Sequence, residues 1–134
     1  MAVNSARVVL LVDDDTTTAY LVQFMLEREG FEVLYASDGR AAQSKIEAMA
    51  QPPALIIFDV ILPFVDGMEL LQIARRKPGW QDTPIIMLTS KSQEQDVVRA
   101  FKLGATDYVV KPFQPNEFLA RVKRLMQSRV TAKV

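Results

Sequence analysis

The chain has 134 residues, with 16 Lys plus Arg set against 16 Asp plus Glu, so its overall charge gives no pull toward nucleic acid or an anionic membrane. It contains neither cysteine nor histidine, which excludes disulfides, thiolate chemistry, the usual zinc ligands and the usual general base. Apolar residues make up 49%, enough to pack one domain of this length around a core.

Apolar runs alternate with stretches of helical period, five times over. Residues 7–12 form the first expected strand, and it ends in Asp13-Asp14-Asp15. Leu21, Phe24 and Met25 then recur at helical spacing as an inner face, with Gly30 as the C-terminal cap. Residues 31–36 read as the second strand. Asp38 caps a helix whose inner face carries Ala42, Ile46 and Met49. The third strand, 55–58, runs straight into Asp59, where an isolated carboxylate has no structural reason to sit. Asp66-Gly67 opens a helix through Leu70, Leu71 and Ala74 that stops before Pro78.

The fourth strand, 84–88, ends at Thr89-Ser90. Ser92 with Gln95 fits a capping box for a helix carrying Val97, Val98 and Phe101, closed by Gly104. Residues 107–110 make a short fifth strand that leads into Lys111-Pro112. Pro115 suits the first turn of a last helix with Leu119, Val122 and Met126 on one face. Near-continuous apolar strands separated by helices predict a five-stranded parallel sheet covered on both faces, with right-handed crossovers. One domain is expected over 1–134, with its core at 7–128 and flexible ends at 1–6 and 129–134.

The opening residues lack the basic start and apolar core of a secretory signal, and no apolar run is long enough to span a bilayer. A cytoplasmic protein is the expectation. The methionines, among them Met25, Met49, Met68, Met87 and Met126, are read as core filler. Trp80 is read as packing, at the edge opposite the strand ends, and Arg121, Lys123 and Arg124 as a solvated helix face.

In an open α/β sheet, ligands bind outside the carboxyl ends of the strands. Here those ends deliver Asp13, Asp14, Asp59, Thr89 and Lys111 to one edge. Two carboxylates about 4 Å apart repel by roughly 4 kcal/mol at an effective dielectric near 20, so three together need a cation or a shifted pKa. Oxygen-only donors select a hard ion, Mg²⁺ or Mn²⁺. A carboxylate beside such an ion can attack phosphorus, with Lys111 neutralising the phosphoryl oxygens and Thr89 donating a hydroxyl bond. None of these parts requires histidine.

Five ordered segments then make the chain resemble the receiver domain of two-component response regulators. They are residues 11–15, residues 58–63 with Asp66-Gly67, residues 87–90, residues 104–108 and residues 109–113. The resemblance covers residues 7–128 and implies a flavodoxin-like sheet of order 2-1-3-4-5. It implies that Asp59 is the phosphoacceptor and takes its phosphoryl group from a sensor histidine kinase or phosphotransfer protein. Asp13, Asp14, Asp59 and the backbone carbonyl of Ile61 would hold Mg²⁺. Lys111, joined to Pro112 by a cis bond, would grip the phosphoryl group. Thr89 would move toward that group, and Tyr108 would turn inward behind it. The face made by the fourth helix, fifth strand and fifth helix would then change shape for a downstream protein or fused output domain.

Glu117, Arg121 and Lys102 would supply ion pairs for a phosphorylation-dependent homodimer, although Thr106 and Asn116 stand where the transcription-factor branch usually has Asp and Arg. The side chain of Ile61 would shield the acyl phosphate from water. Such a protein is a switch that catalyses only its own phosphoryl uptake and slow loss, with no direct contact to nucleic acid or membrane. Three other readings compete. A haloacid-dehalogenase-like phosphatase would use Asp59 as nucleophile but needs an acid/base Asp at the place of Ile61. A flavin binder would need a Ser/Thr-rich loop in place of the three aspartates. A receiver that works without phosphorylation would not need the full polar set.

Overall fold

A computed structural model describes residues 7–132, with side chains through residue 127. The elements alternate strictly: β1 (Val8–Val12), α1 (Thr16–Arg28), β2 (Glu32–Ala36), α2 (Gly39–Ala48), β3 (Leu55–Phe58), α3 (Gly67–Arg76), β4 (Ile85–Thr89), α4 (Glu94–Lys102), β5 (Asp107–Val110) and α5 (Pro115–Ala132). The five strands form one parallel sheet in the order β2-β1-β3-β4-β5, as the resemblance implied. The flexibility expected at 1–6 and 129–134 falls mostly outside the described residues; for 129–132 the helical backbone of α5 is described. Among the described residues no helix is long and apolar enough to cross a membrane.

Alternation along the strands splits the core in two, because successive side chains leave opposite faces. Leu10, Val12, Ile56, Phe58, Ile85 and Met87 meet α2, α3 and α4 through residues such as Ala42, Ile46, Leu71, Ala74 and Ala100. Val9, Leu11, Leu55, Ile57, Ile86 and Leu88 meet α1 and α5 through Ala19, Val22, Leu26, Phe118 and Val122. Each fully buried Leu, Ile or Phe stabilises the fold by about 1.5–3 kcal/mol relative to exposure. That two-sided burial explains why β1, β3 and β4 carry no alternating polar residues, whereas β2 at the sheet edge is only partly buried.

Two helix faces differ from the sequence reading. The buried stripe of α1 is Ala19, Val22 and Leu26, while Leu21 and Phe24 are exposed and only Met25 of the expected set packs on the core. In α4 only Ala100 is buried; Val98 and Phe101 are exposed, and Val97 packs at the margin. Ser92 does not cap α4 either. The N-cap residue is Gln93, which makes no side-chain cap bond, and Glu94 and Asp96 in the first turn face the positive end of the helix dipole instead. The starts at Asp38 and Asp66 hold, and Asp15 caps α1 in the same way: each accepts hydrogen bonds from amides of the helix it precedes. Gly30 and Gly104 take positive φ just beyond α1 and α4.

Arg75 is a polar strut that pattern reading gave no sign of. Its guanidinium donates to the carbonyls of Gly104 (2.9 and 2.7 Å), Trp80 (2.9 Å) and Thr83 (2.7 Å), tying α3 to the loops that lead into β4 and β5. Burial lowers its pKa from the ordinary value, with Asp82 acting in the opposite sense. Arg75→Ala strands those carbonyls at once. It should cost about 2–4 kcal/mol, read as a lower denaturation midpoint in urea with unchanged slope.

Candidate functional site

Strand register assembles the site. Val12 stands beside Phe58 across the β1–β3 pair, so the next residues, Asp13 and Asp59, emerge side by side. Thr89 stands beside Val110 across the β4–β5 pair, which brings Lys111 to the same rim. The backbone holds these exits in place: Asp59 N–H donates to Val12 O (2.9 Å), Asp13 N–H to Ala36 O (3.2 Å) and Lys111 N–H to Thr89 O (2.8 Å).

Three carboxylates converge there. Asp13, Asp14 and Asp59 each place an oxygen within 4.8 Å of the others. Asp13 is 1% exposed and Asp59 6%, while Asp14 faces solvent. The Lys111 ammonium lies between the two buried ones, 2.8 Å from Asp13 Oδ2 and 2.9 Å from Asp59 Oδ2. The second contact is a directed hydrogen bond. The first is a charge contact only, because Asp13 Oδ2 is buried and accepts no hydrogen bond. The remaining oxygens are held locally: Asp13 Oδ1 accepts from Asp15 N–H (2.9 Å) and Asp59 Oδ1 from Ile61 N–H (3.1 Å).

The electrostatics follow from burial. Desolvation raises the Asp13 pKa above its ordinary 3.8, and the Lys111 ammonium and Asp15 amide offset this only in part. Burial alone would lower Lys111, but its ion pairs with Asp13 and Asp59 win and leave its pKa raised. The Asp13 shift thus comes chiefly from burial, and the Lys111 shift from its two carboxylate partners. A divalent cation fits that donor set: three carboxylate oxygens of hard character, with the buried Asp13 Oδ2 lacking any hydrogen bond. Such a cation would add the positive charge that Lys111 cannot supply alone.

Glycine 67 lets α3 approach this rim. A Cβ there would lie 2.0 Å from the Asp59 carbonyl oxygen and 2.8 Å from Val60 Cα, backbone atoms that cannot step aside. Ile61 is half exposed at the mouth of the site. Thr89 is buried at the end of β4, where its Oγ1 accepts from Lys91 N–H at 3.3 Å; it makes no hydrogen bond to Asp59. The Lys111–Pro112 peptide is cis.

Tyr108 already lies inward in this structure, 9% exposed, and its hydroxyl donates to Lys91 O at 2.7 Å. Burial first, then Asp96 and Asp59, push its phenol up to about 12. Arg121 is not free on a solvated face. It donates to Asp107 (3.0 Å) and pairs with Glu117 (3.4 Å) within its own chain. Thr106, which departs from the usual acidic residue, accepts from Ile85 N–H at 3.0 Å. Sequence reading also missed Tyr35 in β2, whose hydroxyl donates to the Asp13 carbonyl at 2.8 Å.

Comparison with known proteins agrees with this geometry. Residues 9–123 match the model of the response regulator receiver domain family. The chain is 44% identical over 119 residues to the alkaline phosphatase synthesis transcriptional regulatory protein PhoP of Bacillus subtilis, covering 89% of this chain and 48% of that protein. It is 37% identical over 123 residues to the phosphate regulon transcriptional regulatory protein PhoB of Klebsiella pneumoniae, covering 91% of this chain and 52% of that one. The chain thus spans about half the length of the curated relatives it matches. Among solved structures, a CheY-like response regulator receiver domain protein from Methanospirillum hungatei superposes with a TM-score of 0.85 at 30% identity, covering 94% of this chain and 98% of that one.

Proposed function

This chain belongs to the response regulator receiver domain family, and from that membership we propose that it is a switch operated by phosphorylation of Asp59. Receiver domains are signalling modules rather than turnover enzymes, and the acidic pocket of Asp13, Asp14 and Asp59 fits a phosphorylation site. The observation that carries the reading is the Lys111 ammonium set between two buried carboxylates at a rim open to solvent. The phosphatase alternative finds no support, since Ile61 occupies the place where its acid/base Asp would stand.

The donor is the phosphohistidine of a sensor kinase or phosphotransfer protein. Asp59 Oδ2, released as Lys111 moves over to the phosphoryl group, attacks phosphorus; the phosphorus–nitrogen bond breaks, and the imidazole nitrogen keeps the electron pair and takes a proton from water. Lys111 follows the charge from Asp59 Oδ2 to a phosphoryl oxygen. Thr89 turns its hydroxyl from the Lys91 amide toward another. Asp13, Asp14, Asp59 and the Ile61 carbonyl would hold Mg²⁺ or Mn²⁺, which when bound neutralises the phosphoryl oxygens.

The readout is the surface of α4, β5 and α5, where Tyr108 is anchored on the Lys91 carbonyl. Movement of Thr89 displaces the Lys91 peptide and with it that anchor. Partners are the kinase or carrier, a downstream protein or fused output domain, and a second copy on phosphorylation. Since Arg121 is engaged with Asp107 and Glu117 inside the chain, any cross-dimer pair using it has to exchange those bonds. We place the protein in the cytoplasm as a single receiver domain over 1–134, with no membrane or direct nucleic-acid contact of its own.

The test is incubation with acetyl phosphate and Mg²⁺ followed by intact mass. One phosphoryl adduct is expected, and none with a chelator; an adduct that forms equally well in chelator would overturn the reading.

Divalent cation binding should also depend on pH in a defined direction. Asp13 must be ionised to serve as a ligand, and its raised pKa makes it take a proton at a higher pH than a free aspartate does. In the cation-free protein the sign is the reverse of a salt-bridged acid: the folded state binds more protons, so the Asp13 contribution to stability grows as pH falls through the window above 3.8. The rise in melting temperature produced by Mg²⁺ should therefore shrink steadily from about pH 7 to about pH 4. A rise that stays constant over that range would contradict the ligand role of Asp13.

A further inference from the structure

We propose that the Tyr35 hydroxyl is a positioning group for the cation site, acting by fixing the peptide plane between Asp13 and Asp14. This rests on the reading of the acidic site given above. Tyr35 stands beside Leu11 across the β1–β2 pair, and Asp13 lies two residues beyond Leu11 on the same strand line. The gap is about 6.6 Å along the strand, a span a phenol reaches and a serine or threonine does not. The ring is partly buried against the core shared by the sheet with α1 and α5, which aims the hydroxyl along the strand. It meets the Asp13 carbonyl at 2.8 Å.

That carbonyl and the Asp14 N–H belong to one planar unit, so holding the oxygen holds the plane from which Asp14 leaves the backbone. The two aspartates need this support unequally. Asp13 is fixed separately: its N–H donates to Ala36 O, its Oδ1 accepts from Asp15 N–H, and its Oδ2 faces Lys111. The Asp14 carboxylate is exposed and takes no hydrogen bond or ion pair among the described residues. Its approach to the other two carboxylates is therefore steered only through the backbone it leaves from, which Tyr35 pins at the Asp13 carbonyl and Asp13 Oδ1 pins at the Asp15 amide.

Burial, followed by the charges of Asp13 and Asp14, raises the phenol pKa above 10.0, so the hydroxyl stays a donor throughout the neutral range. The helix-capping carboxylate Asp15 completes the frame on the other side, accepting from Thr17 and Thr18 amides and from the Thr18 hydroxyl. The loop between β1 and α1 is thus clamped at Asp13 O and at Asp15, with Asp14 between the clamps.

Tyr35→Phe keeps the ring and removes only the hydroxyl, so the fold is retained. The measurement is the Mg²⁺ dissociation constant by titration calorimetry on wild type and variant, alongside melting temperature without Mg²⁺. The variant should bind Mg²⁺ about 3- to 10-fold more weakly, the effect of one lost hydrogen bond expressed through ligand geometry. A lower melting temperature with an unchanged Mg²⁺ constant would mean that Tyr35 only braces the strand edge, and the inference would fall while the function stands. Absence of Mg²⁺ binding in the wild type would remove the function reading itself.

Discussion

Asp59→Ala should take up no phosphoryl group from acetyl phosphate under conditions that load the wild type fully. No neighbour can replace it. Asp13 is 1% exposed against 6% for Asp59, so an incoming phosphorus meets Asp59 first. Asp14 is accessible but has no ammonium beside it to neutralise the transferring group. The variant should also fold at least as well as the wild type in the absence of a divalent cation. Asp13 keeps Lys111 as partner, and the repulsion between two buried carboxylates is gone. The stabilisation by Mg²⁺ should fall at the same time, because one of three donor oxygens is lost. Loss of the adduct with an intact or raised melting temperature thus separates lost chemistry from lost fold. An adduct of wild-type extent on Asp59→Ala would move the phosphorylation site elsewhere and end the account of the rim.

The strands and the acidic rim could be read from the sequence because both depend on short-range pattern. A run such as 55–58 is buried on both faces and has no room for polar side chains, so the first charge after it, Asp59, marks where the sheet ends. The same logic found Asp13 and Lys111, and three of the helix starts are written in single aspartates. The face of α1 was misread because Leu21 and Phe24 are apolar yet exposed, so two stripes of helical period were available and only packing chooses between them. The start of α4 was misread because the preceding loop is shaped by a distant contact, the Tyr108 hydroxyl on Lys91 O, and not by Ser92. Tyr35 and Arg75 escaped for the same kind of reason. Tyr35 reaches a carbonyl 22 residues away and Arg75 reaches carbonyls 5, 8 and 29 residues away, and a carbonyl leaves no mark in a sequence. Thr89 ends β4 as its place in the pattern implied, and its hydroxyl is engaged with Lys91 and not with Asp59.

Lys111→Met should separate the electrostatic role of the lysine from its catalytic one. Methionine fills similar space without charge, leaving Asp13 and Asp59 with oxygens within 4.8 Å and no cation between them. Their repulsion is about 3.5 kcal/mol at an effective dielectric near 20, and breaking a buried ion pair by removing one partner costs about 3–5 kcal/mol. Asp13 escapes part of that cost by taking a proton, since burial already raises its pKa. At neutral pH without a divalent cation the variant should therefore lose about 3 kcal/mol of stability and regain much of it as pH falls. In the wild type, the contribution of Lys111 is fully present below 10.5 and fades only as pH rises through its raised folded pKa, so the two proteins should differ most near neutrality. Mg²⁺ should bind the variant more tightly than the wild type, because it no longer competes with an ammonium for the same oxygens. Phosphoryl uptake should nonetheless slow by about 10²-fold or more, since the group that neutralises a phosphoryl oxygen is missing. Urea denaturation with and without Mg²⁺ at neutral and mildly acidic pH, paired with adduct formation followed by mass, measures each half. If stability drops equally at every pH and Mg²⁺ restores none of it, the lysine is not the counter-charge of this site.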